Sequence, residues 1–228
     1  MQIDKTNLIT SAMFVVVGLV MASIVGVFHA KVDLYPHLSF VAQPPYELKC
    51  DSPIIGGETC NVYMYDVIKD QDKYITLKEK LDTAGSNDEI IFHLGGFGGD
   101  AHTYLELYNH IKTSKATVTM KVEGHVYSAH AFLAISGDKL EVGDGVYLMF
   151  HDVQFDPKYA NDPGTLAFVA YFRTLLEKVA ADGILTRDEL DYMFADPAHQ
   201  LYIDAHEMKK RFDAHHKDRR SLLQKLGL

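Results

Sequence analysis

The chain has 228 residues, of which 47% are hydrophobic and 23% are charged, a globular composition that excludes a disordered chain. The formal net charge of −9 argues against a general nucleic-acid binder, because binding to phosphates depends on basic residues. Two cysteines are too few for a disulfide scaffold or for a structural zinc site.

The N-terminal part of the chain contains a long uncharged stretch. Residues 6–30 carry no Asp, Glu, Lys or Arg, and residues 12–28 are almost wholly apolar. About 20 such residues in a helix span the hydrocarbon core of a bilayer. A fully buried helix and a cleaved signal peptide are the competing interpretations, but Phe28 stands where a cleavage site typically has a small residue. We therefore expect residues 1–30 to form a single transmembrane anchor.

Residues 31–60 have the composition of a linker, because prolines interrupt any regular element. Cys50 and Cys60 bracket a turn-rich segment that a disulfide could bridge, and two unrelated thiols are the alternative. A disulfide persists only in an oxidising compartment. We therefore expect the folded domain to lie outside the cytoplasm, on the far side of a single-pass membrane anchor.

From residue 61 to residue 228, strand and helix patterns alternate, which predicts an α/β domain with a largely parallel sheet. Strands are expected at 62–65, 90–94, 117–122 and 146–150, and helices at 74–84, 100–112, from 128, 165–181, 187–194 and 204–216. The last helix is basic. The helix from Thr165 is apolar all round, so it is expected to be either a central core helix or a contact with a second subunit.

A glycine-rich loop, residues 95–99, joins a buried strand to a helix. Glycine lets backbone amides approach a ligand closely, although a tight turn alone would also require it. Gly96, Gly98 and Ala101 fit a dinucleotide-binding fingerprint, but the acidic residue Glu123 comes late for that motif. A dinucleotide oxidoreductase is therefore the least favoured of the functions considered.

A serine and a histidine follow the next two strands of the predicted sheet. Ser128 stands at the start of a small-residue helix, where it could be only a helix cap. His151 ends the strand that follows, and imidazole is the usual base that makes a serine nucleophilic near neutral pH. We expect these two side chains to meet within one hydrogen bond, facing amides of the glycine loop.

Residues 90–152 resemble the proteolytic subunit of the Clp protease, within the wider Clp-protease/crotonase fold, and the resemblance extends over roughly residues 60–213. The matching segments are Phe97-Gly98-Gly99 for the S-P-G-G-type loop, Gly124 to Leu133 around the serine, Leu148 to His151, and Tyr202 to Met208. The resemblance implies a spiral of ββα units that hydrolyses a peptide or protein, assembled as a homo-oligomeric ring. It also implies Ser128 as nucleophile and His151 as base, with an oxyanion hole formed by amides of Gly98 or Gly99 and of Ala129.

Two departures from the family pattern bear on activity. The third triad position, an aspartate in the family, reads Gln200, so Asp196 or Asp152 would have to substitute. His130 replaces a glycine beside the oxyanion site. We expect a membrane-anchored serine peptidase with no metal or cofactor, and no residue pattern identifies an ATPase partner. The alternatives are a catalytically inactive structural or adaptor subunit and a crotonase-type acyl-CoA enzyme.

Overall fold

The computed structural model describes residues 45–53 and 56–226, with side chains described up to residue 216. The predicted anchor at residues 1–30 lies outside this part of the chain. None of the helices within the described residues combines the length and the apolar character needed to cross a bilayer.

The centre of the fold is one seven-stranded sheet. Its strands are β1 (Glu47–Asp51), β2 (Thr59–Met64), β3 (Glu89–Gly96), β4 (Thr117–Tyr127), β5 (Lys139–Val142), β6 (Tyr147–Phe150) and β7 (Leu201–Asp204). The spatial order is β1-β2-β3-β4-β6-β7, with β5 also paired to β4. The pairings β2–β3, β3–β4, β4–β5 and β4–β6 are parallel, and only the edge strands β1 and β7 are antiparallel to their neighbours.

In the described part of the chain, six α-helices connect and cover these strands. They are α1 (Ile75–Thr83), α2 (Ala101–Thr113), α3 (Ala129–Ala134), α4 (Pro163–Ala181), α5 (Arg187–Ala195) and α6 (Ala205–Leu226). Local sequence sets where several of them begin. The Asp100 side chain accepts a hydrogen bond from the amide of Thr103 at α2, and Thr186 and Glu189 form a capping box at α5.

Alternation of side chains along the parallel strands separates the two faces of the sheet. One face of β3 carries Ile90, Phe92 and Leu94, all fully buried, whereas residues such as His93 on the opposite face remain partly accessible. The helix α3 is buried along its whole length beside this apolar face. The core therefore fixes the ends of β3, β4 and β6, where the predicted site residues follow.

Strand β1 lies within the segment that we predicted as a proline-rich linker. It forms because it pairs with β2, and local sequence does not reveal this pairing. It is short and mostly exposed, so it carries no alternating apolar pattern. It pairs with β2 so that Cys50 and Cys60 stand opposite each other, and the structure joins them in a disulfide. The bond ties an edge strand to the rest of the sheet.

Candidate active site

The strands β3, β4 and β6 run parallel, so the residues that follow them meet at one edge of the sheet. Ser128 directly follows β4, and His151 directly follows β6. Both side chains line a cavity of about 890 Å³ that also borders Gly99, Ala129 and helix α4. The structure therefore brings the predicted nucleophile, the predicted base and two of the three predicted oxyanion residues to one cavity.

The backbone of Ser128 has a conformation that is unusual for a residue with a side chain. Its φ of 56° and ψ of −126° place it on a sharp turn between β4 and α3. Its amide donates to the Met149 carbonyl at 2.7 Å, which fixes the turn against β6. The side chain makes no capping hydrogen bond with α3, so the alternative of a simple helix cap does not describe it. Strained turns of this kind are found at functional sites.

The ring of His151 is held by the main chain of the next residue. Its Nδ1 lies 2.6 Å from the carbonyl oxygen of Asp152. Because a carbonyl can only accept, Nδ1 carries the proton and Nε2 keeps the lone pair that a general base needs. Within the described residues the Ser128 hydroxyl makes no hydrogen bond, so the two side chains share a cavity without the direct bond that we expected. Such bonds are often long in the absence of substrate.

An ion pair between a buried carboxylate and a partly exposed arginine supports the segment that follows His151. The Asp152 side chain is 2% exposed, and its Oδ2 accepts from the Arg173 guanidinium on α4, with the Nε atom at 3.0 Å. The other oxygen, Oδ1, accepts from the amide of Val153 at 2.8 Å. With its carboxylate held in this way, Asp152 contacts His151 through its main chain instead of acting as a third triad carboxylate.

The other two candidates for the third triad position are engaged elsewhere. The Oε1 atom of Gln200 accepts from the Tyr202 hydroxyl at 2.7 Å. The Oδ1 atom of Asp196 accepts from the amide of Ala198 at 2.8 Å, in the turn after α5. Neither is hydrogen-bonded to His151 in the part of the chain that the structure describes. The resemblance places Gln200 at the family position of the third triad member, but its side chain bonds to Tyr202 of β7.

The glycine loop adopts the conformation that its composition suggests. Gly98 has a φ of 89° and Gly99 a φ of 143°, both unfavourable for other residues. A Cβ atom on Gly98 would lie 2.6 Å from the Cβ of Ser128, and one on Gly99 would collide with the main chain of Ile68. Hydrogen bonds of 2.8 Å, from Ile68 N–H to Gly98 O and from Asp100 N–H to Ile68 O, hold the loop.

The amide of Gly98, a predicted oxyanion donor, already has a partner. It donates to Nδ1 of His130 at 3.0 Å, and the His130 side chain is fully buried beneath the loop. Burial lowers the pKa of His130 to about 4, so its ring is neutral near pH 7. Gly98 is itself buried and does not border the cavity, whereas Gly99 is exposed and does. Gly99 and Ala129 therefore remain as the oxyanion candidates that line the cavity together with Ser128.

The sequence-based prediction missed Arg173 at this site, and it missed the contact that His130 makes. Arg173 is the only charged residue in the apolar stretch from 163 to 176, and an isolated charge in such a stretch signals a buried partner. His130 was noticed as a replacement for glycine, but its bond to Gly98 depends on a rotamer and a loop conformation that spacing does not specify.

The chain is thus an α/β protein in which a serine on a sharp turn and a histidine at the end of the next strand line one cavity. The family model of the Clp protease matches residues 61–146, and the mixed α/β fold fits that family. This match supports a Clp-protease-like chain, and the family consists generally of serine peptidases. A search of curated proteins found no match. The matched part contains Ser128 and the glycine loop and ends before His151.

Proposed function

We propose that this chain is a membrane-anchored serine peptidase of the Clp-like type, which cleaves peptide bonds through an acyl-enzyme. The observation that carries the proposal is the shared cavity of Ser128 and His151, in which the tautomer of His151 leaves Nε2 free to accept a proton. The match of residues 61–146 to the Clp protease family supports the same reaction class.

In the proposed reaction, the Ser128 oxygen attacks the peptide carbonyl while Nε2 of His151 accepts the hydroxyl proton. Amides of Gly99 and Ala129 stabilise the oxyanion that forms. The tetrahedral intermediate collapses, the C–N bond breaks, and the imidazolium gives its proton to the leaving amine. Water, deprotonated by His151, then attacks the acyl-enzyme and releases the second product, which restores the Ser128 hydroxyl.

The proposed reaction is expected to be slow. The carbonyl of Asp152 can orient the His151 ring, but it cannot stabilise the imidazolium as a full negative charge would. Loss of the triad carboxylate costs about 10⁴ in turnover in serine proteases that have been dissected. An activated, irreversible reagent is therefore a better probe of Ser128 than a peptide turnover assay.

A peptide or protein is the proposed substrate, because the cavity is large and rich in aromatic side chains. Its lining includes Phe97, Phe132, Phe155, Tyr159, Phe168 and Phe172. Such a surface suits an apolar side chain next to the scissile bond. A homo-oligomeric ring, as in the Clp protease family, is part of the proposal.

The location of the protein is a further part of the proposal. We place the folded domain outside the cytoplasm, tethered by residues 1–30. The Cys50–Cys60 disulfide supports this placement, because disulfides persist in oxidising compartments and are rare in the cytosol.

A catalytically inactive structural subunit is the second candidate function, and one observation favours it. The bond from Gly98 to His130 removes an oxyanion donor that the family pattern would provide. A crotonase-type acyl-CoA enzyme is a weaker alternative, since it would need the oxyanion amides but not the Ser128–His151 arrangement.

The test is labelling of the full-length chain with a fluorophosphonate, followed by peptide mapping. We expect the label on Ser128. We expect Ser128→Ala and His151→Ala to lower the extent of labelling at least about tenfold, as loss of a nucleophile or base does. Ser52→Ala, whose hydroxyl is exposed and bonds Glu58, is the matched control and should label as the wild type does.

Absence of labelling in the correctly folded wild type would overturn the peptidase proposal in favour of the structural subunit. Tight binding of a CoA thioester, together with absence of labelling, would instead support the acyl-CoA enzyme.

A further inference from the structure

We infer that His130 controls the oxyanion hole, by binding the Gly98 amide and withholding it from the cavity that contains Ser128. This inference rests on the proposed function and concerns the regulation of the same site. Gly98 N–H donates to His130 Nδ1 at 3.0 Å, and Gly98 lies against Ser128, where a Cβ would be only 2.6 Å from the serine Cβ. The amide is thus next to the nucleophile but turned to another acceptor.

The chemistry of the ring is consistent with this role. To accept from Gly98, Nδ1 must carry a lone pair, so the ring proton resides on Nε2. The low pKa that burial gives His130 keeps the ring in this neutral form at physiological pH. An amide hydrogen that is bonded to the ring cannot at the same time stabilise an oxyanion with full strength, so the two acceptors compete.

The buried His130 ring leaves one nitrogen without a hydrogen-bond partner among the described residues, and the bond from Gly98 to the other nitrogen offsets this cost. The Nε2 atom is buried and has no hydrogen-bond partner in the described part of the chain. Leaving a buried donor unpaired costs stability, and an apolar side chain at this position would avoid that cost. The acceptor function of Nδ1 is what distinguishes histidine from an apolar residue of similar size here.

The geometry divides the amides near Ser128 into two groups. Gly99 and Ala129 border the cavity, whereas Gly98 lies behind it, so its amide reaches the cavity only when the His130 contact is broken and the loop is free to turn. One oxyanion donor typically changes turnover by about 10²–10³-fold. Holding Gly98 back therefore keeps the reactivity of Ser128 low until the loop rearranges.

The test compares one substitution that removes the acceptor for the Gly98 amide with one that replaces it. His130→Leu removes the acceptor and retains much of the side-chain volume, whereas in His130→Asn the amide oxygen can replace Nδ1 as an acceptor for Gly98. We expect the rate constant for fluorophosphonate labelling of Ser128 to rise at least about tenfold in the leucine variant, as an added oxyanion donor would cause. The asparagine variant should stay near the wild-type rate. Equal rates in all three proteins, or a slower rate in the leucine variant, would overturn the inference.

A second measurement does not depend on reactivity at all. Hydrogen–deuterium exchange of the Gly98 amide is followed in the full-length chain, in a Ser128→Ala background. We expect His130→Leu to speed this exchange at least about tenfold, because the amide loses its partner, and His130→Asn to leave it nearly unchanged. Unchanged exchange in the leucine variant would overturn the His130 contact. Faster exchange in this experiment, combined with no labelling of Ser128 in the proteins that retain the serine, would support that contact while overturning the peptidase proposal.

Discussion

At the scale of single residues, the burial of His130 predicts how the free energy of unfolding changes with pH. Burial lowers its pKa in the folded chain to about 4, below the ordinary value of 6.5 that the unfolded chain retains. The unfolded state therefore binds a proton first as the pH falls, so the stability contributed by the neutral ring is lost between about pH 6.5 and pH 4. At pH 5 this loss is about 2 kcal/mol.

The measurement is urea unfolding of the full-length chain at pH 7 and pH 5. The free energy of unfolding of the wild type should fall by about 2 kcal/mol more than that of His130→Asn over this interval. His130→Leu also lacks the imidazole, so it should follow the asparagine variant in its pH dependence. Identical pH dependence in all three chains would show that the ring is not buried in its neutral form.

How far the site was predictable is clear from individual residues. Ser128 and His151 were found because each follows a predicted strand, and parallel strands end at one edge of the sheet. Asp152 was named as a candidate partner of His151 through its carboxylate, but the contact uses its main-chain carbonyl, which residue type does not reveal. Spacing also could not distinguish Gly98, whose amide donates to His130, from Gly99, which borders the cavity.

At the scale of elements, the ion pair between α4 and the segment after β6 makes a prediction. Arg173→Met would leave the Asp152 carboxylate, only 2% exposed, without its cation. We expect a loss of about 2–4 kcal/mol in the free energy of unfolding, since an uncompensated buried charge is costly even when its lost partner was partly exposed. Labelling of Ser128 should also slow, because the Asp152 main chain holds the His151 ring.

The matched control lies nearby. Arg187 at the start of α5 pairs with Glu177 and Asp191, and its side chain is 64% exposed. Arg187→Met should therefore cost less than about 1 kcal/mol, as exposed ion pairs typically do. Equal losses for the two variants in urea unfolding, with unchanged labelling in both, would contradict a supporting role for the Asp152–Arg173 pair.

The elements that the sequence predicted and those that it missed differ in burial. The interior strands β3, β4 and β6 and the longer helices were expected near their observed positions, because buried faces impose a clear apolar pattern. Strands β1, β5 and β7 were missed because each is short, is largely exposed and pairs with a single neighbour. Their existence depends on pairing with a neighbour, which local sequence does not encode.

At the scale of the whole molecule, the surface of α4 is more apolar than one chain requires. Phe172 and Leu176 are buried in the core, but Leu166 and Tyr171 are 52% and 54% exposed. The sequence left two interpretations of this helix open, a central core helix or a contact with another subunit. Exposure of these large side chains favours the second, since exposed apolar patches commonly mark interaction sites.

We therefore predict that α4 contributes to self-association of the chain. Leu166→Glu combined with Tyr171→Glu should shift the full-length protein, in sedimentation velocity, from an oligomer to smaller species, because each substitution would bury a charge in the contact. Lys178→Glu places the same acidic side chain on an exposed position of the same helix and should leave the oligomer intact. A wild type that sediments as a single chain, or a doubly substituted protein that sediments as the wild type does, would exclude α4 as the interface.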